Sequence, residues 1–392
     1  MAIDILQISK TALEAQKTNP DVINASIGMF FDETRHIGGM PSVSKALREL
    51  PDMSILPYPA VDGGKDFKDH VISWTFGQYE DQIRKEMYVD ACATPGGSGA
   101  IASTFSVYTK PNDFVFVSNV RWQYDRFADR AKIKLFEHNM FDQGGFDLKS
   151  FDEQLGNLCK IQKQVVVIVN DPCHNPTGYT LSLDEFKAVI DILNKYHKND
   201  IVFLYDVAYL EYTSEKDKRI KMLELLRLEE HVLTILAFSG SKTFGVYGLR
   251  LGAAIGLTKS KTKIDNFRPR FVNEARGSWS ATPTISIELL NHFSKKENHA
   301  DFLKELKGIK DIVQKRSELF ISQANEIGLK TYPFRSGFYV IALTDKPMEV
   351  FEKLTEKGIY VVPMENGIRI ALCSISLKEI DGLPQKIKTL ID

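Results

Sequence analysis

Four short clusters hold residues whose types and spacing could do chemistry. Ser239-Gly240-Ser241-Lys242 sets a lysine among small residues just past an apolar run, with Arg250 eight positions on. A solvated surface charge is the ordinary reading of a lone lysine. A lysine desolvated near a second cation instead has a depressed pKa and can condense with a carbonyl. Asp206 closes the run Ile201–Tyr205 and is followed by Val207-Ala208-Tyr209. Its carboxylate either caps a loop or keeps a ring nitrogen protonated, so that the ring draws electrons; Tyr209 could donate to an oxygen on that ring. Asp171-Pro172-Cys173-His174-Asn175-Pro176-Thr177-Gly178 follows the run Gln164–Asn170 and carries the Asn175 amide to the same region. His174 reads as a satisfied structural histidine. Thr94-Pro95-Gly96-Gly97-Ser98-Gly99-Ala100 reads as a glycine-rich turn opening a helix, whose N–H groups could cradle an anion. On its own it is no more than a tight turn. Ser239 and Arg250 are residue types suited to a phosphate.

These clusters need elements that bring them to one place. Asp113–Ser118, Ala131–Phe136, Gln164–Asn170, Ile201–Tyr205, Val232–Phe238 and Leu251–Leu257 read as strands, several of them continuously apolar. Such strands separated by helices predict a mostly parallel sheet covered on both faces. Ser182 with Glu185 forms a capping box ahead of the helical pattern FKAVIDIL. In open α/β sheets ligands bind beyond the carboxyl ends of the strands, where all four clusters fall. The last third is richer in charge and amphipathic helix, with strand candidates Phe338–Leu343 and Ile368–Leu372. This predicts a second, smaller α+β domain beginning near residue 305.

A net charge of −1 gives no bulk field favouring nucleic acid or an anionic membrane. No apolar run approaches the roughly 20 residues of a membrane helix, and the N-terminus lacks the features of a signal peptide. Cys92, Cys159, Cys173 and Cys373 are widely spaced, which argues against a metal site or a disulfide framework. Four buried thiols and a cytoplasmic location are the expectation.

Taken together and in this order, the clusters resemble the fold-type I pyridoxal-phosphate enzymes, most of all the class I aminotransferases of the aspartate and aromatic amino acid branch. The matching motifs are Gly-Gly-Ser-Gly-Ala (96–100), Asn-Pro-Thr-Gly (175–178), Asp-Val-Ala-Tyr (206–209), Ser-Gly-Ser-Lys (239–242) and Gly-Leu-Arg-Leu-Gly (248–252). The resemblance implies an α/β fold with a seven-stranded-type sheet sandwiched by helices. The large domain would span 46–305 and the small one 1–45 with 306–392. It implies pyridoxal 5′-phosphate as cofactor, carried by Lys242, which would also move the proton during transfer. Asp206 would pair with the ring nitrogen, Asn175 and Tyr209 with the ring oxygen, and Gly97, Ser98, Ser239 and Arg250 with the phosphate. Trp122 would stack on the ring, with Tyr124 as its rival. Arg369 would bind the substrate α-carboxylate, and Gly28 lies in the substrate-facing segment Ile23–Gly28. Tyr58 would reach the phosphate of a neighbouring subunit and Arg276 a substrate side-chain carboxylate across the same interface, so the resemblance implies a homodimer.

The sequence departs from aspartate enzymes at Val120, at Gly248-Leu249 and at Gly337-Phe338-Tyr339, and Met29-Phe30-Phe31 makes one flank apolar. These departures bear on substrate choice. The expected reaction moves an amino group from aspartate or an aromatic amino acid to a 2-oxo acid such as 2-oxoglutarate. A β-eliminating lyase acting on a sulfur amino acid would use the same cofactor residues. A regulator that binds the cofactor without turnover is the remaining alternative, set lower because the chain begins almost directly at the small domain.

Overall fold

The apolar runs of the middle of the chain form the centre of the molecule. The computed structural model describes residues 4–392. Seven strands build one sheet: β1 Tyr88–Ala93, β2 Phe114–Ser118, β3 Lys134–His138, β4 Gln164–Asn170, β5 Asp200–Asp206, β6 Val232–Ser239 and β7 Gly252–Thr258. Their order across the sheet is β1-β7-β6-β5-β4-β2-β3. β7 runs antiparallel to both neighbours, and every other pairing is parallel. Val165, Val167, Val169, Phe203 and Tyr205 enter the core on one face; Val166, Ile168, Val202 and Leu204 enter the core on the other. With both faces covered, every residue of β4–β6 after the first is buried, so these strands are apolar without alternation.

The strand expected at 131–136 begins later, at Lys134. The helix Asp125–Ala131 ends on Lys132 in the left-handed conformation, its N–H bonding back to Ala128 and Asp129, so this stretch is a helix cap. β1 escaped the sequence reading because it is an edge strand: Tyr88 is exposed and Asp90 pairs with Arg268 at 2.8 Å. The capping box at Ser182 and Glu185 forms in both directions.

Four helices bear on the site: α1 Ile5–Thr18, α2 Gly96–Tyr108, α3 Lys261–Ser278 and α4 His299–Glu326. A second, antiparallel sheet joins β8 Tyr339–Leu343, β9 Val362–Met364 and β10 Gly367–Ala371 in the order β8-β10-β9. Ile23–Asn24 pairs in parallel with Ile359–Tyr360, so the smaller body draws on both ends of the chain. The 28-residue helix α4 passes unbroken through residue 305. Phe302, Leu306 and Val313 pack into the core of the large sheet; Phe320 and Ala324 pack into the smaller core.

Among the described residues no helix is long and apolar enough to cross a membrane. None of their His, Cys, Asp and Glu groups is arranged to hold a metal ion. All four cysteines are free, and Cys159 is half-buried rather than buried, since its helix packs only one side against the core.

Candidate active site

The carboxyl ends of β4, β5 and β6 lie side by side, and the turns leaving them line a cavity of about 470 Å³. Asn170, the last residue of β4, joins two of these ends. Its Nδ2 donates to the Asp206 carbonyl at 3.0 Å, and its Oδ1 accepts the Asn175 N–H at 2.8 Å. The turn that carries Asn175 is anchored by a buried ion pair, Lys221 to Asp171 at 2.9 Å. Asp171 also accepts from the Leu181 N–H at 2.7 Å and the Tyr205 hydroxyl at 3.0 Å. Both peptides preceding Pro172 and Pro176 are cis. His174 is buried beside Thr177, and burial drives its pKa down to about 3, so it stays neutral and structural.

Asp206 closes β5 and lines the cavity. Burial pushes its pKa up to about 6, against hydrogen bonds from the Ala208 N–H at 3.2 Å and the Tyr124 hydroxyl at 3.0 Å that favour the anion. A buried carboxylate with no counter-ion is costly, and a cationic ligand group would relieve it. Of the two aromatics, Trp122 lines the cavity. Tyr124 sits behind it, edge-on at 5.6 Å, with its hydroxyl committed to Asp206.

Lys242 stands in the single helical turn Gly240–Thr243 that follows β6. Its Nζ donates to the Gly28 carbonyl. It also faces the rings of Tyr247 at 4.7 Å, Phe338 at 5.4 Å and Tyr209 at 5.6 Å. Burial lowers its pKa to about 8, and the charges of Arg369 and Arg250 push the same way. That leaves a substantial neutral fraction near pH 8, as a nucleophilic or proton-carrying amine requires.

Beyond Lys242 the cavity reaches Gly97, Ser98, Ser239 and Arg250. The first turn of α2 leaves N–H groups without intrahelical partners there. The packing leaves no room for side chains: a Cβ on Gly96 would lie 2.6 Å from the Arg250 guanidinium, and one on Gly252 would lie 2.2 Å from the Gly96 backbone. Arg250 is held by its bond to the Tyr247 carbonyl at 2.8 Å. A guanidinium over a bare helix N-terminus, with a serine on either side, fits a phosphate.

Arg369, on β10, enters from the smaller body. It donates to the Ser26 carbonyl at 2.8 Å and to Asn175 Oδ1 at 3.4 Å. Its Nε is buried without a partner. A guanidinium that lines a cavity and keeps an unused donor suits a carboxylate. Gly28 lines the same space, and the Tyr209 hydroxyl stands 3.4 Å from Asn175 Nδ2.

Two expected residues lie elsewhere on the chain. Tyr58 is 98% exposed. Arg276, near the end of α3, is exposed and bonds to Ser280 Oγ at 2.9 Å. The segment after α3 touches the one before Tyr58: Thr284 donates to the carbonyl of Pro57 at 2.8 Å. Conversely, the cavity contains residues that the sequence reading left without a role: Asn170, Tyr247, Tyr339, and Ile5 and Leu6 of α1. Asn170 ends the strongest strand run, a signal that could have found it. Nothing near Ile5 and Leu6 marks them, because they reach the site only through the docking of α1.

Residues 20–387 match the family model described as aminotransferase class I and II. The chain belongs to this family. The aminotransferase is 26% identical to the aspartate aminotransferase of Salmonella typhi over 352 residues, 88% of this chain and 87% of that one. A crystal structure of an aminotransferase from Anaerococcus prevotii superposes with a TM-score of 0.95 at 30% identity, covering 100% of this chain and 97% of that one. The fold is shared further with an aromatic-amino-acid aminotransferase of Burkholderia pseudomallei covalently bound to pyridoxal phosphate. That match has a TM-score of 0.81 at 19% identity and covers 100% of this chain and 98% of the other.

Proposed function

We propose that this aminotransferase binds pyridoxal 5′-phosphate in the cavity below α2. It would move the amino group of aspartate or an aromatic amino acid to a 2-oxo acid such as 2-oxoglutarate. One observation carries the reading: a desolvated lysine without a carboxylate partner, a buried carboxylate without a cation, and a buried guanidinium with a free Nε line one cavity. When bound, the cofactor supplies a carbonyl for amine exchange and a ring that draws electrons from the substrate Cα.

The residues divide the work. Gly97, Ser98, Ser239 and Arg250 hold the phosphate, Trp122 covers a ring face, Asp206 keeps the ring nitrogen protonated, and Asn175 with Tyr209 binds the ring oxygen. Arg369 fixes the substrate α-carboxylate, which leaves the Cα–H near Lys242. Lys242 Nζ takes that proton as a base and returns it as an acid, a role suited to a pKa near 8. Ile5, Leu6 and Met29 give the side-chain region an apolar wall. Tyr58 and Arg276, exposed on one protomer, would complete the site of the other in a homodimer. Arg276 would then receive the second carboxylate of aspartate or glutamate. The chain divides into a large domain, 46–305, and a small domain, 1–45 with 306–392, and it works in the cytoplasm with its four thiols reduced.

The test is the absorbance of the cofactor-loaded protein before and after L-aspartate without an oxo acid, then after 2-oxoglutarate. Loss of the cofactor–lysine band on aspartate and its return on 2-oxoglutarate is expected. Release of ammonia and pyruvate from a sulfur amino acid, with no amino transfer to any oxo acid, would overturn the assignment.

A further inference from the structure

Tyr339, the first residue of β8, touches three parts of the site at once. The Arg369 guanidinium lies over its ring, 4.6 Å from the centroid. Its hydroxyl stands 3.2 Å from the Tyr209 hydroxyl. The same hydroxyl occupies the space a side chain at position 28 would need: a Cβ on Gly28 would lie 1.7 Å from it. Gly28 is the residue whose carbonyl accepts Lys242 Nζ. The bare Gly28 is therefore what admits the Tyr339 hydroxyl, and Tyr339 bridges the carboxylate-binding arginine to the lysine end.

The two parts of this side chain meet different partners. Among the described residues Arg369 makes only two hydrogen bonds, one of them long. An aromatic face under its guanidinium fixes the plane of the group. The hydroxyl acts on Tyr209. In this structure Tyr209 donates to Tyr339 and accepts from Asn175. Once Tyr209 donates to a ligand oxygen, its own oxygen can accept a hydrogen bond from the Tyr339 hydroxyl. The pair then forms a chain in which each bond strengthens the next.

We infer that Tyr339 is a dual positioning residue: its ring sets Arg369 for the substrate carboxylate, and its hydroxyl strengthens the donor Tyr209. The hydroxyl's part rests on the cofactor reading given above; the ring's part does not. A Tyr339 donor stabilises the unprotonated oxygen of the ring that Tyr209 addresses. With the cofactor bound, loss of that donor would raise the proton affinity at the site that Tyr209 and Lys242 address together.

Tyr339→Phe and Tyr339→Leu separate the two roles. In the cofactor-loaded protein, a pH titration of the visible absorbance reads that proton affinity. Both variants should raise its midpoint, by about half a unit to one unit for one weakened hydrogen bond. In the cofactor-free protein, with inorganic phosphate present to occupy the Arg250 end, calorimetry with 3-phenylpropanoate reads the Arg369 end of the cavity. Tyr339→Phe should bind it as the wild type does, and Tyr339→Leu about ten-fold more weakly. A midpoint in Tyr339→Phe that is unchanged or lower overturns the hydroxyl's role, and wild-type affinity in Tyr339→Leu overturns that of the ring. If the wild type takes up no cofactor, the reading of the cavity fails and with it the hydroxyl's role, while calorimetry still decides the ring.

Discussion

Replacing Lys242 with methionine should stabilise the cofactor-free protein while abolishing turnover. The methionine keeps much of the lysine's length and removes its charge. The native pKa of Lys242 falls from 10.5 to about 8 because burial disfavours the ammonium. At about 1.4 kcal/mol per pH unit, the charged form costs the native state up to about 3 kcal/mol. The side chain is partly exposed to an open cavity, so water screens some of this and about 1–2 kcal/mol is expected. Loss of the bond from Nζ to the Gly28 carbonyl offsets about 1 kcal/mol. The net gain at pH 7 is then of order 0–1 kcal/mol. The sign follows from the lowered pKa. The unfolded chain holds the proton up to 10.5 and the native chain only to about 8, so wild-type stability rises with pH between those values. The variant lacks this rise, so its advantage should shrink over the same window and become a deficit of about 1 kcal/mol by about pH 10, when only the lost bond to Gly28 remains. Urea unfolding of both proteins at pH 7, 8.5 and 10, at one protein concentration, measures it. A variant less stable than the wild type at pH 7, or an advantage that does not change with pH, would refute the account of Lys242 as a desolvated ammonium.

The remaining predictions concern other parts of the site. Asp206→Asn should lower turnover of the loaded enzyme about a hundred-fold or more while leaving the melting temperature of the cofactor-free protein level or higher at pH 7. Its buried carboxylate has a raised pKa, so native stability is lost as pH rises through that range, and the amide removes the loss. Gly252→Ala should weaken cofactor retention on dialysis and lower the melting temperature by several degrees, because its Cβ would lie 2.2 Å from the Gly96 backbone. Mixing Lys242→Met protomers with Arg276→Ala protomers should restore aspartate turnover to the mixture, since each hybrid dimer holds one intact site. Failure of hybrids to regain activity would count against sharing across the interface.

The convergence of the clusters on one cavity was legible because a parallel sheet sends its strand ends to one side. Once Gln164–Asn170, Ile201–Tyr205 and Val232–Phe238 are read as neighbouring parallel strands, Asn175, Asp206 and Ser239 with Lys242 must converge, whatever the exact strand bounds. Tertiary structure decided the rest. The antiparallel course of β7 and the edge strand β1 leave no trace in periodicity, as pairing direction and edge position depend on neighbours. Arg369 meets Asn175 across 194 positions of sequence, and only the docking of the smaller sheet sets that distance. Ile5 and Leu6 look like any exposed helical residues until α1 folds over the cavity. Tyr339 belongs to a stretch that departs from the aspartate enzymes, but its contacts with Gly28, Tyr209 and Arg369 come from three separate stretches of chain, and no local pattern encodes them. Tyr58 and Arg276 mark the last boundary: on a single protomer both lie outside the cavity, so the part proposed for them can be read neither from the sequence nor from one chain.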